Sequence, residues 1–358
     1  MGSTRPSRRS SGPLALTAAR VGPQPHAASA SVAWSMITFR SMRAFSQVTS
    51  ASLFTRHPGN PLLTPERWPY PINAVMNAGA TIVDGQTVLM CRVEDRRGFS
   101  HLACARSQDG ASNWVVDDQP ALANDGEHPE EAWGLEDPRV TYVEELGRWI
   151  ITYTAFGPGG PGISLAQTED FQTFERLGVA MVPDDKNGVL LPRRVRDDWV
   201  LFHRPASARD GGIWLSRSAD LKSWRTPELV LRRRPGSWWD SARVGMGPPP
   251  VETQHGWLVV YHGVRDTVAG GLYRAGLALL DLENPARVLR RSEEWVLGPQ
   301  AQFEVTGDVP NVVFPCGLVH DHNNDTLLLY YGAADTRIGL ATARCPQVLD
   351  YLLQCPPG

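Results

Sequence analysis

The chain has 358 residues, a net charge of -3, 33 glycines, 29 prolines and 12 tryptophans. That length allows a large core, the turn-rich and aromatic composition favours many short strands over a helical bundle, and the near-neutral charge supplies no basic field for nucleic acid. The five cysteines (Cys91, Cys104, Cys316, Cys345 and Cys355) are odd in number and form no CxxC pair, which argues against a disulfide framework or a zinc knuckle and fits a reducing, cytoplasmic compartment.

Residues 1–50 hold six arginines and no Asp or Glu. The composition fits a transit-type leader and a disordered extension equally, and Pro13, Arg20 and Pro23 interrupt the apolar run of a secretory signal. No later stretch approaches the roughly 18 apolar residues of a membrane span, so no membrane partner is expected.

Between residues 54 and 345 one pattern recurs five times. An apolar strand ending in polar or aromatic residues (87–92, 149–154, 199–204, 257–262 and 326–331) is followed by a strand of small alternating residues (101–107, 163–168, 213–218, 273–278 and 338–342). Three of the followers run into an aspartate turn and an aromatic plug: Asp109 with Trp114, Asp170 with Phe174, and Asp220 with Trp224. A repeat of about 50 residues carrying several strands predicts an all-β, five-bladed β-propeller, in which each small sheet buries its faces against its neighbours. A β-sandwich would not require the strand pair to recur with the same terminal chemistry. Residues 346–358 are read as a C-terminal tail.

In such an architecture polar residues at equivalent strand ends converge, and function is expected there. The sharpest local signal is Glu136-Asp137-Pro138-Arg139. Pro138 fixes its own φ and biases Asp137 toward extended backbone, so the Asp137 carboxylate is expected to be held rather than mobile. The alternative is a turn in which Asp137 caps backbone amides and Arg139 pairs with Glu136. Converging on it are Asn77, Arg92 and Asp95 from the first unit and Lys186, His203 and Arg204 from the third. The fourth adds Arg243, Tyr261 and His262, and the fifth adds Asp335. Singly, Arg92 also reads as part of a solvated charge run, Lys186 as a loop charge, and the histidines as structural groups. Together, several cations at one end of successive units suit an anion, Arg gripping two oxygens and Lys acting as a point charge. Inorganic phosphate is the natural small candidate. A single acid beside it fits glycosidic cleavage in which Asp137 protonates the leaving oxygen, because phosphate replaces the carboxylate that an inverting hydrolase needs to activate water. There is no HExxH, and His320-Asp321-His322 lies in a polar turn, so no metal is expected.

Seven motifs at these residues carry a resemblance spanning about residues 60–343. They begin at Pro71, Arg92, Gly134, Phe202, Gly245, Tyr261 and Tyr331 and include Gly134-Leu135-Glu136-Asp137-Pro138-Arg139 and Tyr331-Gly332-Ala333-Ala334-Asp335. The sequence resembles glycoside hydrolase family 130, the β-mannoside phosphorylases. The resemblance implies a five-bladed propeller and inverting cleavage of a β-1,2- or β-1,4-mannooligosaccharide, or of mannosyl-glucose, by inorganic phosphate to give α-mannose 1-phosphate, with no metal or other cofactor. It makes Asp137 the general acid, acting through a sugar hydroxyl as relay, and gives Asn77, Arg92, Asp95 and Asp335 to the mannosyl unit. Lys186, Arg204, Arg243 and His262, with Tyr261 nearby, fall to phosphate. Lys186 and Arg243 exchange Arg and Lys relative to some members, which keeps the charge but alters the oxygen geometry. The rival readings are a β-mannosidase using water, with Glu252 or Glu304 as base, and a non-catalytic carbohydrate-binding propeller. Oligomeric state stays open, since family members are often homo-oligomers but no heptad or apolar stripe marks an interface.

Overall fold

The computed structural model describes Gly2, residues 53–208 and residues 210–358; the segment expected as a leader or extension lies, Gly2 apart, outside the described residues. A short strand, β1 (Thr55–Arg56), precedes five antiparallel meanders. The first comprises β2 (Ala74–Val83), β3 (Gln86–Glu94), β4 (Ser100–Ser107) and β5 (Val115–Val116), and the second β6 (Gly134–Val143), β7 (Arg148–Gly157), β8 (Gly160–Thr168) and β9 (Glu175–Met181). The third holds β10 (Asp185–Leu190), β11 (Trp199–Pro205), β12 (Ile213–Ser218) and β13 (Arg225–Leu231). In the fourth are β14 (Arg243–Met246), β15 (Val251–Thr253), β16 (Gly256–Thr267), β17 (Gly270–Leu280) and β18 (Val288–Arg291). The fifth is β19 (Val313–Asp321), β20 (Thr326–Ala333) and β21 (Arg337–Arg344), and β1 returns to it by pairing antiparallel with β21.

The recurring strand pair of the sequence falls on β3–β4, β7–β8, β11–β12, β16–β17 and β20–β21, the second and third strands of each meander in hydrogen-bonding order, β15 pairing with β16 off that path. These lie between hydrogen-bonded neighbours with both faces covered, so they read as apolar runs; Val88 through Cys91 on β3 are all buried. The three aspartate turns share one geometry. Asp109 accepts from the Ala111 and Ser112 amides (2.9 and 2.7 Å), Asp170 from Gln172 and Thr173 (2.8 Å each), and Asp220 from Lys222 and Ser223 (2.9 and 2.8 Å).

The first strands are irregular. In β2, β6 and β10 the register slips at Asn77-Ala78, Asp137-Pro138 and Asn187-Gly188, and β19 slips at Cys316. Asn77, Asp137 and Asn187 each take a left-handed φ, at 50°, 50° and 59°. Asp137 is therefore not extended as Pro138 led us to expect. Bulge formation outweighs the preproline bias, and Asn and Asp are the side chains that tolerate this conformation best.

The core is divided among the meander contacts. Met90 and Leu102 of the first meander pack with Ile151 and Phe171 of the second, Ile150 and Ile163 with Leu190 and Leu201 of the third, and Val189 and Phe202 with Trp257 and Tyr261 of the fourth. Leu258 and Leu277 pack with Leu329 and Tyr331 of the fifth, which in turn meets the first through Tyr330, Leu340 and Leu89. One short helix, α1 (Gln302–Val305), precedes β19. The segment expected as a tail forms α2 (Cys345–Gln354), whose Val348 and Leu352, four residues apart on one face, are buried in the core shared by the last two meanders. All five cysteines are free, four of them buried, and among the described residues no helix is long and apolar enough to cross a membrane.

Candidate active site

Antiparallel alternation brings the chemistry to one face. Asn77, Asp137, Lys186 and Arg243 lie near the starts of first strands, while Arg92 and Arg204 lie near the ends of the second strands paired with them and His262 stands opposite Gly245 in the middle of β16. In β10 and β11, Lys186 stands directly opposite Arg204.

The acid half is a connected network. Asp137 Oδ1 accepts from Asn77 Nδ2 at 2.8 Å and Arg92 Nη1 at 3.3 Å. Arg92 also donates to Glu136 Oε1 at 3.2 Å and to Ser100 Oγ at 2.9 Å, and Lys186 Nζ reaches Glu136 Oε2 at 3.4 Å. Arg139 does not pair with Glu136. Its buried guanidinium donates to the Asp137 carbonyl (2.7 Å) and to the Gly247 and Met246 carbonyls (3.1 and 3.3 Å), fixing the bulge from beneath and tying β6 to β14. Burial alone would raise the Asp137 carboxyl, but Arg92, Arg139, the Asn77 amide and Lys186 outweigh it and hold the group below its ordinary range. Asp335, at φ 49°, is lifted by burial and by the nearby Asp137 charge to about 7.

The cationic half is built from β10, β11, β14, β16 and β17. Arg243 donates to the Tyr273 hydroxyl at 2.7 Å, and its guanidinium lies over that ring at 5.4 Å, with Asp266 at 3.7 Å. His262 packs between Phe314 and Tyr273, at centroid separations of 4.4 and 6.3 Å. Burial, reinforced by Arg204, Arg139 and Arg243, depresses His262 well below its ordinary value, so the ring is neutral at pH 7. Gly245 is required here, since a Cβ would run into the His262 ring and the Asn187 amide. Burial and Arg243 also lower Arg204. Among the described residues nine buried side-chain polar atoms find no protein partner, and four of them are at this face: Asn77 Oδ1, Asn187 Nδ2, Arg204 Nε and His262 Nδ1. Such atoms are ready to meet a polar ligand.

Not every expected residue joins the cluster. Tyr261 neighbours His262 on β16 and so points to the opposite face, where its hydroxyl donates to Asp240 (3.2 Å), accepts from Arg291 (3.2 Å) and its ring stacks on Trp239. The aromatic hydroxyl at the cations is that of Tyr273. Asp95 belongs to the β3–β4 turn, where it accepts from the Arg97 and Phe99 amides (2.7 and 3.1 Å) and from the Arg97 guanidinium. His203 is held between Asp185 (2.6 Å) and Ser216 (3.0 Å). Asn187 went unnoticed in the sequence; its signal was an Asn-Gly pair inside a strand, matching Asn77-Ala78-Gly79 and Asp137-Pro138 at the other bulges.

A carboxylate pair facing a bank of half-buried cations on an all-β scaffold describes an enzyme that acts on a polar substrate with an anion as participant. The family model described as beta-1,4-mannooligosaccharide phosphorylase matches residues 64–354, and the chain belongs to this family, glycoside hydrolase family 130. It is 33% identical over 307 residues to beta-1,4-mannooligosaccharide phosphorylase of Ruminococcus albus, covering 83% of this chain and 90% of the relative. With the 1,2-beta-oligomannan phosphorylase of a Thermoanaerobacter species it shares 37% identity over 278 residues, 75% of this chain and 89% of the relative. The structure of beta-1,2-mannobiose phosphorylase from Listeria innocua in complex with beta-1,2-mannobiose superposes with a TM-score of 0.77 at 27% identity, covering 84% of this chain and 99% of that one.

Proposed function

We propose that this chain is an inverting β-mannoside phosphorylase on a five-bladed β-propeller. Two ring-like sets of contacts support the blade count. The five cores described above link each meander to the next and the fifth to the first. Along the axis, Gly79 lies against Pro138, Thr141 donates to the Leu190 carbonyl (3.0 Å), Gly245 faces Asn187, Gly247 lies against Pro315, and Gly317 lies against Ala78 and Ala80.

The observation that carries the activity is the placement of Arg204, Arg243, His262 and Lys186 on the face that holds Asp137. Phosphate is bound by the guanidinium groups, with Lys186 as a point charge and the unpaired Asn187 amide and Arg204 Nε as donors. A phosphate oxygen attacks the anomeric carbon of a β-mannosyl unit from the face opposite the leaving group. The bond from that carbon to the glycosidic oxygen breaks, Asp137 gives its proton to a mannosyl hydroxyl that passes its own proton to the leaving oxygen, and α-mannose 1-phosphate forms with inversion. Asn77, Arg92 and Asp335 hold the mannosyl unit. Inorganic phosphate is the second substrate, and the side chains supply the positive charge the step needs without a cofactor. The substrate is a β-1,2- or β-1,4-mannooligosaccharide or mannosyl-glucose, and the free cysteines accord with a cytoplasmic site of action.

The two carboxylates named as bases for a water-using variant are otherwise engaged: Glu252 pairs with Arg193 (2.7 Å), and Glu304 is buried against Arg56 (2.7 Å) and Tyr331 (2.8 Å). The test is product analysis with β-1,2- and β-1,4-mannobiose, each with and without inorganic phosphate. Mannose 1-phosphate formed only with phosphate is expected; free mannose released equally in both buffers would replace the proposal with a hydrolase. Arg204→Ala should raise the Michaelis constant for phosphate at least tenfold while changing that for mannobiose little, as measured by initial rates at varied phosphate.

A further inference from the structure

A cavity of about 470 Å³ is lined by segments that emerge at the end of the sheet bearing the cations. Its walls are Trp238 and Trp239 in the β13–β14 connection, Arg265 at the end of β16, Arg274 on β17, and Glu293 and Trp295 beyond β18. Strand alternation sets this placement. β11, β13, β16 and β18 all run toward the face that bears Arg204 and His262, so the segments following β13 and β18 emerge there.

Three tryptophans at one surface cavity require a reason. Trp239 has a structural one, being buried, stacked on Tyr261 and donating from Nε1 to the Glu293 carbonyl at 2.8 Å. Trp238 and Trp295 are 40% and 39% exposed. Each is braced by a guanidinium, Arg234 lying 4.1 Å from the Trp238 centroid and Arg274 4.2 Å from that of Trp295. Arg234 is itself anchored to Asp240 at 2.8 Å. Bracing from one side holds a flat apolar face in place and leaves little rotamer entropy to lose on contact with a ligand. Braced rings beside the Arg265 and Arg274 donors and the exposed Glu293 acceptor suit a pyranose, which has apolar C–H faces and a hydroxyl rim. A flat protein partner would call for a broader apolar patch than this one.

Two chain neighbours connect the cavity wall to the cationic half. Arg265 is the chain neighbour of Asp266, which pairs with Arg243, and Arg274 follows Tyr273, whose hydroxyl receives the Arg243 hydrogen bond. Arg274 lies two strands out from β14, roughly 10 Å at the usual strand spacing.

Building on the phosphorylase reading, we propose that Trp238 and Trp295 form a distal subsite that binds a sugar ring of an oligosaccharide substrate whose cleaved bond lies at Asp137. Its occupant is a pyranose several units along the chain, so it acts on long substrates and not on disaccharides.

The test compares wild type, Trp238→Ala, Trp295→Ala, the double variant and Trp238→Phe in phosphorolysis of β-mannobiose and β-mannotetraose of the accepted linkage. The expected result is a tenfold or greater rise in KM for the tetrasaccharide in the double variant, with kcat and mannobiose kinetics unchanged and partial rescue in Trp238→Phe. Equal loss on both substrates with a lowered melting temperature would assign the rings a folding role and overturn the subsite. Unchanged tetrasaccharide kinetics in the double variant would overturn it as well. Should the wild type cleave no β-mannoside with phosphate, the activity reading fails, and the subsite is then judged by binding alone. Saturable quenching of tryptophan fluorescence by β-mannotetraose, reduced in the double variant, supports it, and quenching identical in both proteins refutes it.

Discussion

In the reaction proposed above, Asp137 is under two opposing demands. To protonate a leaving oxygen it must carry a proton, yet Arg92, Arg139, Asn77 and Lys186 favour its ionised form. A phosphate dianion entering the cationic half offsets part of that positive field, so arrival of the second substrate raises the affinity of the acid for its proton. Asp137→Asn is expected to reduce turnover by about 10²–10⁴-fold while leaving mannobiose affinity by calorimetry within a few-fold of wild type. Activity near wild type would remove Asp137 from the role of acid. Asp335 makes a separate prediction. Its folded value of about 7 against an ordinary 3.8 means that the folded chain keeps a proton which the unfolded chain releases across that interval. Stability attached to this proton is therefore present below about pH 4 and is lost as pH rises through about 7. Asp335→Asn keeps the shape of the neutral acid without the ionisation, so its urea midpoint should exceed that of wild type at pH 8 by more than it does at pH 5. A midpoint lower by the same amount at both pH values would show that ionisation of Asp335 does not control stability.

Among the elements, the strands most legible in the sequence are not the ones that carry the bulges. The second and third strands of each meander are visible in the sequence because they are covered on both faces and carry a continuous apolar signal. The first strands carry Asn77, Asp137 and Asn187, and their bulges, glycines and prolines break the period-two pattern by which a strand is recognised. Those glycines serve close approach: a Cβ at Gly317 would lie 2.7 Å from the Ala78 oxygen and from the Ala80 Cβ. Gly317→Val should therefore cost about 1–3 kcal/mol by overpacking β19 against β2, read as a lower urea midpoint with an unchanged m-value. A variant as stable as wild type would mean that the two strands can separate without penalty.

For the molecule as a whole, the returning strand β1 ties the start of the described fold to its last meander by pairing with β21. Arg56 on that strand donates to both Glu304 oxygens (2.7 and 2.8 Å), and the same carboxylate accepts from Tyr331 (2.8 Å) and the Gln300 and Ala301 amides (2.8 and 3.0 Å). Burial opposes ionisation of Glu304, and these donors reverse that and hold it charged. Arg56→Met keeps the apolar stem but leaves a buried carboxylate short of its cation. We expect a loss on the order of 2 kcal/mol, toward the low end for a broken buried pair because Arg56 is partly exposed. Specific activity per folded molecule should persist, since none of these groups touches the acid network; loss of activity without loss of stability would contradict a purely structural latch.

Composition and strand periodicity determined that the chain is a repeating all-β protein, and short motifs singled out Asp137, Arg92, Lys186, Arg204 and Arg243, which the fold brings to one face, because these signals are local. Facing directions were not local. Tyr261 and His262 are adjacent in the chain yet point to opposite sides of β16, and only the registry of β14, β16 and β17 decides that His262 and Tyr273 meet Arg243 while Tyr261 goes to Asp240. Asp95 likewise resembles its charged neighbours in sequence, but the β3–β4 turn uses it for backbone amides. The tertiary structure also gathered Trp238 and Trp295, 57 positions apart in the chain, at one cavity. Residue types are written in the chain, whereas the convergence of side chains from five meanders depends on strand twist, bulge position and the packing of meander on meander, which are properties of the packed whole.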